Sequence, residues 1–342
     1  YLQLNPKNLS NVFFNLEMSK ELSGQRIVLE IPELQFKKEF LTNADGFVRE
    51  NIEISPQLWS PTDPKLYDII ISSNQESISD EIGFRSIKVD GPNIYLNNIE
   101  IKFKGIAMHS EPIGIPGPAF SKDHFEHLLL TAKDLNINFV RAAHYPYTRH
   151  LARVADKLGL MLWEEVPVYW NIDWDNSETL NIATNQIKRL VQRDQNRASV
   201  VVWSVANETP LSSSRMRFLN TLLSEIEAVD STRLTTAALL SGSEEQFKAL
   251  VLVLALQGIK SSWVSPKEKT IFQSILAQAN IPIDSNLNFS ISIDDPLGKS
   301  VDLISYNEYF GWYYVTFFTE QMMISEGTLR KLMFEVMPNI KI

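Results

Sequence analysis

The sequence has no cysteine, which excludes disulfide bridges, thiolate nucleophiles and cysteine-ligated metal centres. It also lacks a long apolar run. The most apolar stretch, Leu250–Leu256, is far shorter than the ~20 residues that cross a bilayer, so no membrane partner is predicted. Positive charge is not in excess either: the formal net charge is −9, whereas proteins that bind nucleic acids carry a basic surface. We therefore predict no nucleic-acid partner.

The beginning of the chain shows the short apolar runs that are typical of β-strands. Arg26–Ile31, Val48–Ile54 and Leu66–Ser72 are such runs, and turn-forming residues lie between them at 43–46 and 60–64. No amphipathic helical stripe of comparable strength precedes Ser121. This spacing predicts a β-sandwich over the first part of the chain.

From about residue 98 the pattern changes to strands that alternate with helices, which predicts a parallel sheet with crossover helices. Ser121 is the predicted N-cap of the first helix. The predicted strands are Phe103–His109, Phe139–His144, Leu160–Glu165, Val200–Ser204, Leu234–Leu239 and Asp302–Asn307. The first three predicted helices have apolar faces formed by Phe125, Leu128, Leu129, Ala132 and Leu135, by Leu151, Val154, Ala155 and Leu158, and by Ile182, Ile187 and Leu190. A fourth helix is predicted over Phe218–Val229. A fifth is predicted over Glu320–Met337, with Met323, Leu329, Leu332 and Val336 among its apolar residues. Residues 241–299 fit no simple βα unit and are interpreted as an insertion.

Two architectures fit this alternation: an open doubly wound sheet and a closed barrel. No glycine-rich phosphate loop follows any of the predicted strands, which disfavours a nucleotide-dependent α/β enzyme. Polar residues instead collect where the predicted strands end, and barrel enzymes place their chemistry at that rim. The residues are His109, Arg141, His144, Glu164, Glu165, Asn207, Glu208, Asn307 and Tyr309. The barrel is therefore the predicted fold.

Glu208 is the candidate catalytic residue. It ends the buried run Val200–Glu208, and a carboxylic acid that is partly desolvated can stay protonated near neutral pH and act as a general acid. The preceding amide, Asn207, can hydrogen-bond a substrate hydroxyl. An isolated Asn-Glu pair is more often structural, with the carboxylate capping a helix or pairing with Arg215.

Two longer motifs change that balance. Asp194–Glu208 resembles an acid/base signature of glycoside hydrolase family 2, and Asn138–Pro146, continuing to Trp163, resembles the second signature of that family. Leu58–Tyr67 with Ile82–Ile87 resembles the end of the family's immunoglobulin-like sandwich, and Lys104–His109 resembles its first barrel strand. The resemblance implies an all-β immunoglobulin-like sandwich over residues 1–88, followed by an α/β TIM (β/α)8 barrel over 89–342. It also implies that an amino-terminal jelly-roll domain is absent and that the barrel is truncated after its sixth strand.

The resemblance assigns roles to individual residues. Glu208 would be the general acid/base, Asn207 would hold the sugar 2-hydroxyl, and Arg141 would support the carboxylates electrostatically. His109 and His144 would line the sugar pocket, with a structural hydrogen bond inside the barrel as the equal alternative. Asn307–Tyr313 resembles a segment of the β-glucuronidase branch, in which Tyr309 would bond the nucleophile while Asn307 and Tyr313 shape the pocket.

The nucleophile is where the pattern breaks. A retaining mechanism needs a second carboxylate about 5–5.5 Å from the first, and the family carries it on the seventh strand. Glu326, in Ile324–Gly327, imitates that segment but lies in an amphipathic stretch without a preceding β-run, so it is not adopted. We expect the nucleophile beyond Ile342, and negligible turnover from these 342 residues alone.

The resemblance also indicates which metals, substrates and cellular location to expect. Tyr169 stands where large bacterial β-galactosidases carry a magnesium-binding carboxylate, so neither a metal nor another cofactor is expected. The predicted function is a retaining exo-β-glycosidase of β-glucuronidase type acting on terminal β-linked sugars. A β-galactosidase and a non-catalytic carbohydrate-binding barrel are the alternatives. A periplasmic or secreted address and a homo-oligomer of the full-length protein are left open by the resemblance.

Overall fold

The computed structural model describes residues 1–19, 23–112, 114–240, 244–286, 294–307, 309, 319–320 and 322–336, with only the backbone for 244–246. The chain divides into two compact units. The first comprises Tyr1–Ala238 with Pro296–Ser305, and the second comprises the described residues of 239–295 and 306–336.

Seven antiparallel strands form two sheets at the start of the first unit. The strands are β1 (Leu2–Leu4), β2 (Asn11–Glu17), β3 (Arg26–Ile31), β4 (Phe36–Leu41), β5 (Phe47–Glu53), β6 (Tyr67–Ser72) and β7 (Ser77–Ile82). Their orders are β1-β2-β5 and β4-β3-β6-β7. Alternation along β3 buries Ile27, Leu29 and Ile31 in a core that both sheets share. The predicted sandwich is confirmed.

A small antiparallel sheet follows, which the sequence analysis did not predict. It consists of β8 (Ile87–Asp90), β9 (Asn93–Leu96) and β10 (Ile99–Ile101). Gly91 at φ 56° and Asn97 and Asn98 at φ 54° and 64° make the two tight turns, which need the left-handed backbone that these residue types tolerate.

Six further strands form one sheet in sequential order. They are β11 (Gly105–Met108), β12 (Phe139–Ala142), β13 (Met161–Glu165), β14 (Val200–Asn207), β15 (Leu234–Leu240) and β16 (Leu303–Asn307). The registers from β11 to β15 are all parallel, and every residue of β13 and β14 is buried, as expected for strands covered on both faces. This sheet is the predicted TIM barrel as far as the described residues form it.

Four helices connect these strands: α1 (Lys122–Asp134), α2 (His150–Leu158), α3 (Ser177–Asp194) and α4 (Ser213–Val229). Ser121 caps α1 as predicted, its hydroxyl accepting the backbone N–H of His124. Three positions of the predicted stripes were wrong: Leu135, Ile182 and Met323, of which Met323 is 78% exposed. Leu135 is 61% exposed because α1 ends before it, and Ile182 is 52% exposed because α3 buries Ala183 and Ile187 instead.

The end of the sandwich is anchored to helix α2 and to the amino-terminal ends of two barrel strands. The indole N–H of Trp59 donates to the carbonyl of Asp156 at 2.8 Å. Arg85, 5% exposed, donates to the carbonyls of Ala198, Val200 and Thr232. These bonds leave the opposite, carboxyl-terminal edge of the sheet for the site.

The described part of the second unit includes the helices α5 (Glu244–Lys260), α6 (Pro266–Gln278) and α7 (Glu326–Val336), which pack around one apolar cluster. The insertion predicted at 241–299 is therefore helical over Glu244–Lys260 and Pro266–Gln278. The helix predicted from Glu320 does not run unbroken, because Met323 has φ 55° and the hydroxyl of Ser325 accepts the backbone N–H of Thr328, which starts α7 at Glu326.

Candidate active site

Parallel strands bring their carboxyl ends to one edge of the sheet, and the candidate residues lie there. Arg141 is on β12, Glu165 ends β13 and Asn207 ends β14. Glu208 follows Asn207 directly. Three neighbouring strands thus supply a cation, a carboxylate and an amide to one edge, as in barrel enzymes.

Arg141 is the centre of a hydrogen-bonded network. Its guanidinium binds Glu165 through two nitrogens, with Nη2–Oε1 at 3.0 Å and Nε–Oε2 at 3.2 Å. The same Nη2 donates to Oδ1 of Asn207 at 2.7 Å. The Arg141 side chain is 12% exposed and that of Glu165 is 1% exposed, so these are largely desolvated, charge-assisted bonds.

Glu165 also accepts from two aromatic donors. The indole N–H of Trp163 reaches Oε2 at 2.8 Å, and Nδ1 of His144 lies 2.8 Å from Oε1. A carboxylate can only accept, so Nδ1 of His144 carries the hydrogen in this pair.

The backbone around Asn207 and Glu208 is held from both sides. The amide N–H of Asn207 donates to Val168 at 2.9 Å, and its carbonyl accepts from Trp170 at 3.1 Å. The N–H of Glu208 donates to Ala238 on β15 at 2.8 Å. Glu208 has φ 51°, an unfavourable backbone conformation for a non-glycine residue that costs of order 1–3 kcal/mol. Strain of this kind concentrates at functional sites.

The Glu208 side chain is half-buried and its Oε2 accepts the indole N–H of Trp170 at 3.3 Å. Because Oδ1 of Asn207 is bonded to Arg141, its Nδ2 group points away from that guanidinium.

His109 joins the same edge through ring contacts. Its ring centroid lies 5.4 Å from that of His144, edge to face, and 6.2 Å from that of Tyr145. His144 is in turn 6.2 Å from Tyr169. The aromatic rings of these residues therefore lie next to one another at the carboxyl ends of the first barrel strands.

The remaining predicted residues are not all described. Asn307 and Tyr309 bond each other, Nδ2 to hydroxyl at 3.2 Å, and Tyr309 packs on the apolar cluster of the second unit. Tyr313 lies outside the described residues. Glu326 begins helix α7 and pairs with Arg330 one turn later, so it does not end a strand. Arg215, the alternative partner of Glu208, donates to Thr209.

A metal site was not predicted. Tyr169, at the position discussed for a magnesium ligand, is 42% exposed and forms an isolated bridge with Asn207. Within the part of the chain that the structure describes, no group of three histidine, aspartate or glutamate side chains is placed to hold a metal ion.

Glu164 is a buried carboxyl that points to the other face of β13. It is 2% exposed, neither carboxyl oxygen has a hydrogen-bond partner among the residues that the structure describes, and Nη2 of Arg193 is 4.0 Å away. Burial, and after it the neighbouring Asp194 carboxylate, raises the pKa of Glu164 well above its usual range. This carboxyl is structural, behind the site.

Sequence reasoning noted Glu165 at a strand end but gave it no role, and it missed Trp163 and Trp170. Alternation along a strand indicates that only one of Glu164 and Glu165 can face the site, but it does not indicate which one. The role of Trp170 depends on a loop bringing it back to β14, for which no sequence pattern exists.

A β-sandwich followed by a parallel barrel sheet, with a charged network at the carboxyl edge, defines a modular barrel protein. Residues 87–260 match the family model "Glycosyl hydrolases family 2, TIM barrel domain", and residues 10–85 match "Glycosyl hydrolases family 2". The chain belongs to glycosyl hydrolase family 2.

Relatives in this family have two names. A β-galactosidase of Thermoanaerobacterium thermosulfurigenes is 32% identical over 210 residues, covering 58% of this chain and 29% of that protein. A putative β-glucuronidase of Formosa agariphila is 30% identical over 161 residues, covering 45% of this chain and 19% of that protein. The chain thus spans less than a third of the length of these relatives.

A solved structure supports the fold. The FMN-binding β-glucuronidase from Facaelibacterium prausnitzii L2-6 superposes with a TM-score of 0.67 and 18% identity, covering 99% of this chain and 46% of that one. At this identity the likeness concerns the fold alone. Among the described residues, the structure has no helix that is both long and apolar enough to span a membrane.

Proposed function

We propose that the protein is a retaining exo-β-glycosidase in which Glu208 is the general acid/base. The observation that carries the proposal is the placement of Glu208. It follows the buried strand β14 directly, beside an amide that is bonded to Arg141, which is itself paired with Glu165. An acid on a rigid strand end, next to an oriented amide, is suited to protonating a glycosidic oxygen.

The chemistry follows from the bonds in place. Glu208 donates a proton to the glycosidic oxygen as the bond to the anomeric carbon breaks, and a second carboxylate attacks that carbon. Glu208 then takes a proton from the water that hydrolyses the glycosyl intermediate. Asn207, with Oδ1 on Arg141, offers Nδ2 to the sugar 2-hydroxyl, whose hydrogen bond strengthens in the transition state.

The proposed substrates are terminal β-linked sugars, with a β-D-glucuronide ahead of a β-D-galactoside. Two features support a uronide: the Asn307–Tyr313 segment of the β-glucuronidase branch, and Tyr169 in place of a metal-binding carboxylate. The names of the relatives include both activities, so the galactoside is the second candidate.

The test uses the protein as its gene encodes it, with 4-nitrophenyl β-D-glucuronide and β-D-galactoside. Wild type should release 4-nitrophenol from the glucuronide, and Glu208→Gln should lose at least about a hundredfold in kcat/KM. Glu208→Ala with added azide should yield the β-glycosyl azide, because azide attacks the glycosyl intermediate without a general base.

Two variants serve as controls. Glu227→Gln changes an exposed carboxylate on α4, and Glu326→Gln tests the residue that imitates the nucleophile; both should retain wild-type rates. No turnover of either glycoside by wild type, together with sugar binding that Glu208→Gln leaves unchanged, would instead identify a non-catalytic carbohydrate-binding barrel.

A further inference from the structure

We propose that Trp170 positions the Glu208 carboxyl for proton transfer and forms the contact surface for the leaving group. The inference rests on the proposed role of Glu208 as the acid/base. It assigns to a residue outside the sequence motifs a function in determining which glycosides are cleaved.

Trp170 is fixed relative to Glu208 by its main chain. The N–H of Trp170 donates to the carbonyl of Asn207 at 3.1 Å, and the N–H of Asn207 donates to Val168 at 2.9 Å. These two bonds tie residues 168–170 to the end of β14, one position before Glu208. Trp170 has φ 55°, so its backbone is held in a conformation that a free loop would avoid.

The indole then fixes one carboxyl oxygen. Its Nε1–H reaches Oε2 of Glu208 at 3.3 Å. An indole nitrogen donates and never accepts. The indole hydrogen opposes a proton on Oε2, so this contact favours the protonated form of Glu208 that carries its hydrogen on Oε1. Trp170 thus selects the oxygen that delivers the proton and orients it.

The exposed indole ring of Trp170 is placed to contact the leaving group of the substrate. Trp170 is 64% exposed and Tyr169 is 42% exposed, and their rings meet edge to face at 5.7 Å between centroids. The acid must touch the glycosidic oxygen, so the group on that oxygen lies beside Glu208. An indole face bonded to the same carboxyl is placed to stack on that group, be it an aromatic ring or the apolar face of a sugar.

The same loop offers a matched control. Trp174 donates its Nε1–H to Oδ1 of Asn171 at 3.2 Å and packs edge to face on Phe218 at 5.3 Å. Trp174→Phe makes the identical chemical change four residues away. Trp170→Phe removes the N–H but keeps a ring, whereas Trp170→Ala removes both.

The experiment measures kcat/KM and KM for three glycosides of one sugar: methyl, 4-nitrophenyl and 2,4-dinitrophenyl. Departure of methanol requires protonation, whereas 2,4-dinitrophenolate leaves without it. Trp170→Phe should lower kcat/KM about tenfold on the methyl glycoside and leave the dinitrophenyl value within about twofold. Trp170→Ala should in addition raise KM for the aryl glycosides about fivefold. Trp174→Phe should match wild type on all three.

Melting temperatures of the variants identify loss through unfolding. An equal loss by Trp170→Phe on all three glycosides, or no loss on any, overturns the inference when Glu208→Gln shows a steep dependence on the leaving group. If Glu208→Gln itself shows no such dependence, the proposed function fails and this inference with it.

Discussion

Arg141 and Glu165 face each other across β12 and β13 in a two-pronged ion pair, with Nη2–Oε1 at 3.0 Å and Nε–Oε2 at 3.2 Å. The pair is anchored from behind by Trp163, and its cation reaches forward to Asn207. The ion pair between β12 and β13 therefore orients the amide of Asn207, which precedes the proposed acid Glu208 at the end of β14.

Arg141→Lys should lower kcat/KM about a hundredfold with a folded protein. A lysine ammonium is a point donor on a flexible stem and cannot hold both Glu165 oxygens and Asn207 in one plane. Steady-state kinetics on the best glycoside, with far-UV circular dichroism, measure this. Arg153→Lys, at an exposed pair with Asp80, is the control, and an Arg141→Lys enzyme within threefold of wild type would contradict the positioning role.

Asn207→Asp tests the contact with the sugar 2-hydroxyl. Aspartate keeps an oxygen for Arg141 but replaces the Nδ2 donor, so kcat/KM should fall about a hundredfold on the ordinary glycoside. On the matching 2-deoxy glycoside the two enzymes should differ by no more than about threefold, because the lost bond no longer exists. Equal losses on both substrates would assign Asn207 to Arg141 alone.

Glu164→Gln should stabilise the protein, and more so at high pH. Burial raises the pKa of Glu164, so between its ordinary pKa and the raised value the folded state keeps a proton that the unfolded state releases. Wild-type stability therefore falls as the pH rises through that window. Glutamine is neutral at every pH in this window and can donate a hydrogen bond to Asp194. The variant therefore does not lose stability through this titration as the pH rises.

The measurement is the melting temperature at pH 5 and pH 8. The advantage of Glu164→Gln should be larger at pH 8, on the order of 1 kcal/mol or more of unfolding free energy. Glu227→Gln, which changes an exposed carboxylate, should show no such trend. An advantage that is the same at both pH values would mean that Glu164 does not hold a proton in the folded protein.

Arg85→Met should destabilise the protein by about 2 kcal/mol, because the carbonyls of Ala198 and Thr232 at the amino-terminal end of the barrel lose a donor and the carbonyl of Val200 keeps the 3.3 Å bond from Nε of Arg233. The melting temperature should fall by several degrees while the kinetics of the remaining folded enzyme are unchanged. Arg26→Met, on an exposed pair with Glu39, should leave the melting temperature unchanged. An Arg85→Met protein as stable as Arg26→Met would show that water replaces the guanidinium.

Most strands and helices were predictable because their signals are local. The run Arg26–Ile31 and the cap Ser121 are where the periodicity places them. The predictions were wrong where contacts with other parts of the fold set the end of an element. Helix α1 ends just before Leu135, which is exposed to solvent, and β12 ends at Ala142 instead of His144. The small sheet β8–β10 carried too few residues per strand to show a period.

The residues of the candidate site also divide into those that were predicted from the sequence and those that only the structure shows. Asn207, Arg141 and His144 were predicted, and the structure brings them together with Glu165. The roles of Glu208, Asn307 and Tyr309 remain predictions. Trp163 and Trp170 could not be found, because indole donors become informative only when a carboxylate lies within 3.3 Å.

The sequence by itself determined the alternation of strands and helices from β11 to β15, the fold class and the family, since these depend on periodicity and on contiguous motifs. The tertiary structure alone decided which of Glu164 and Glu165 faces the site, which oxygens Arg141 holds, and that Trp170 returns to Glu208. Those contacts join residues 24 to 66 positions apart, and their energy depends on burial and direction, which no linear pattern encodes.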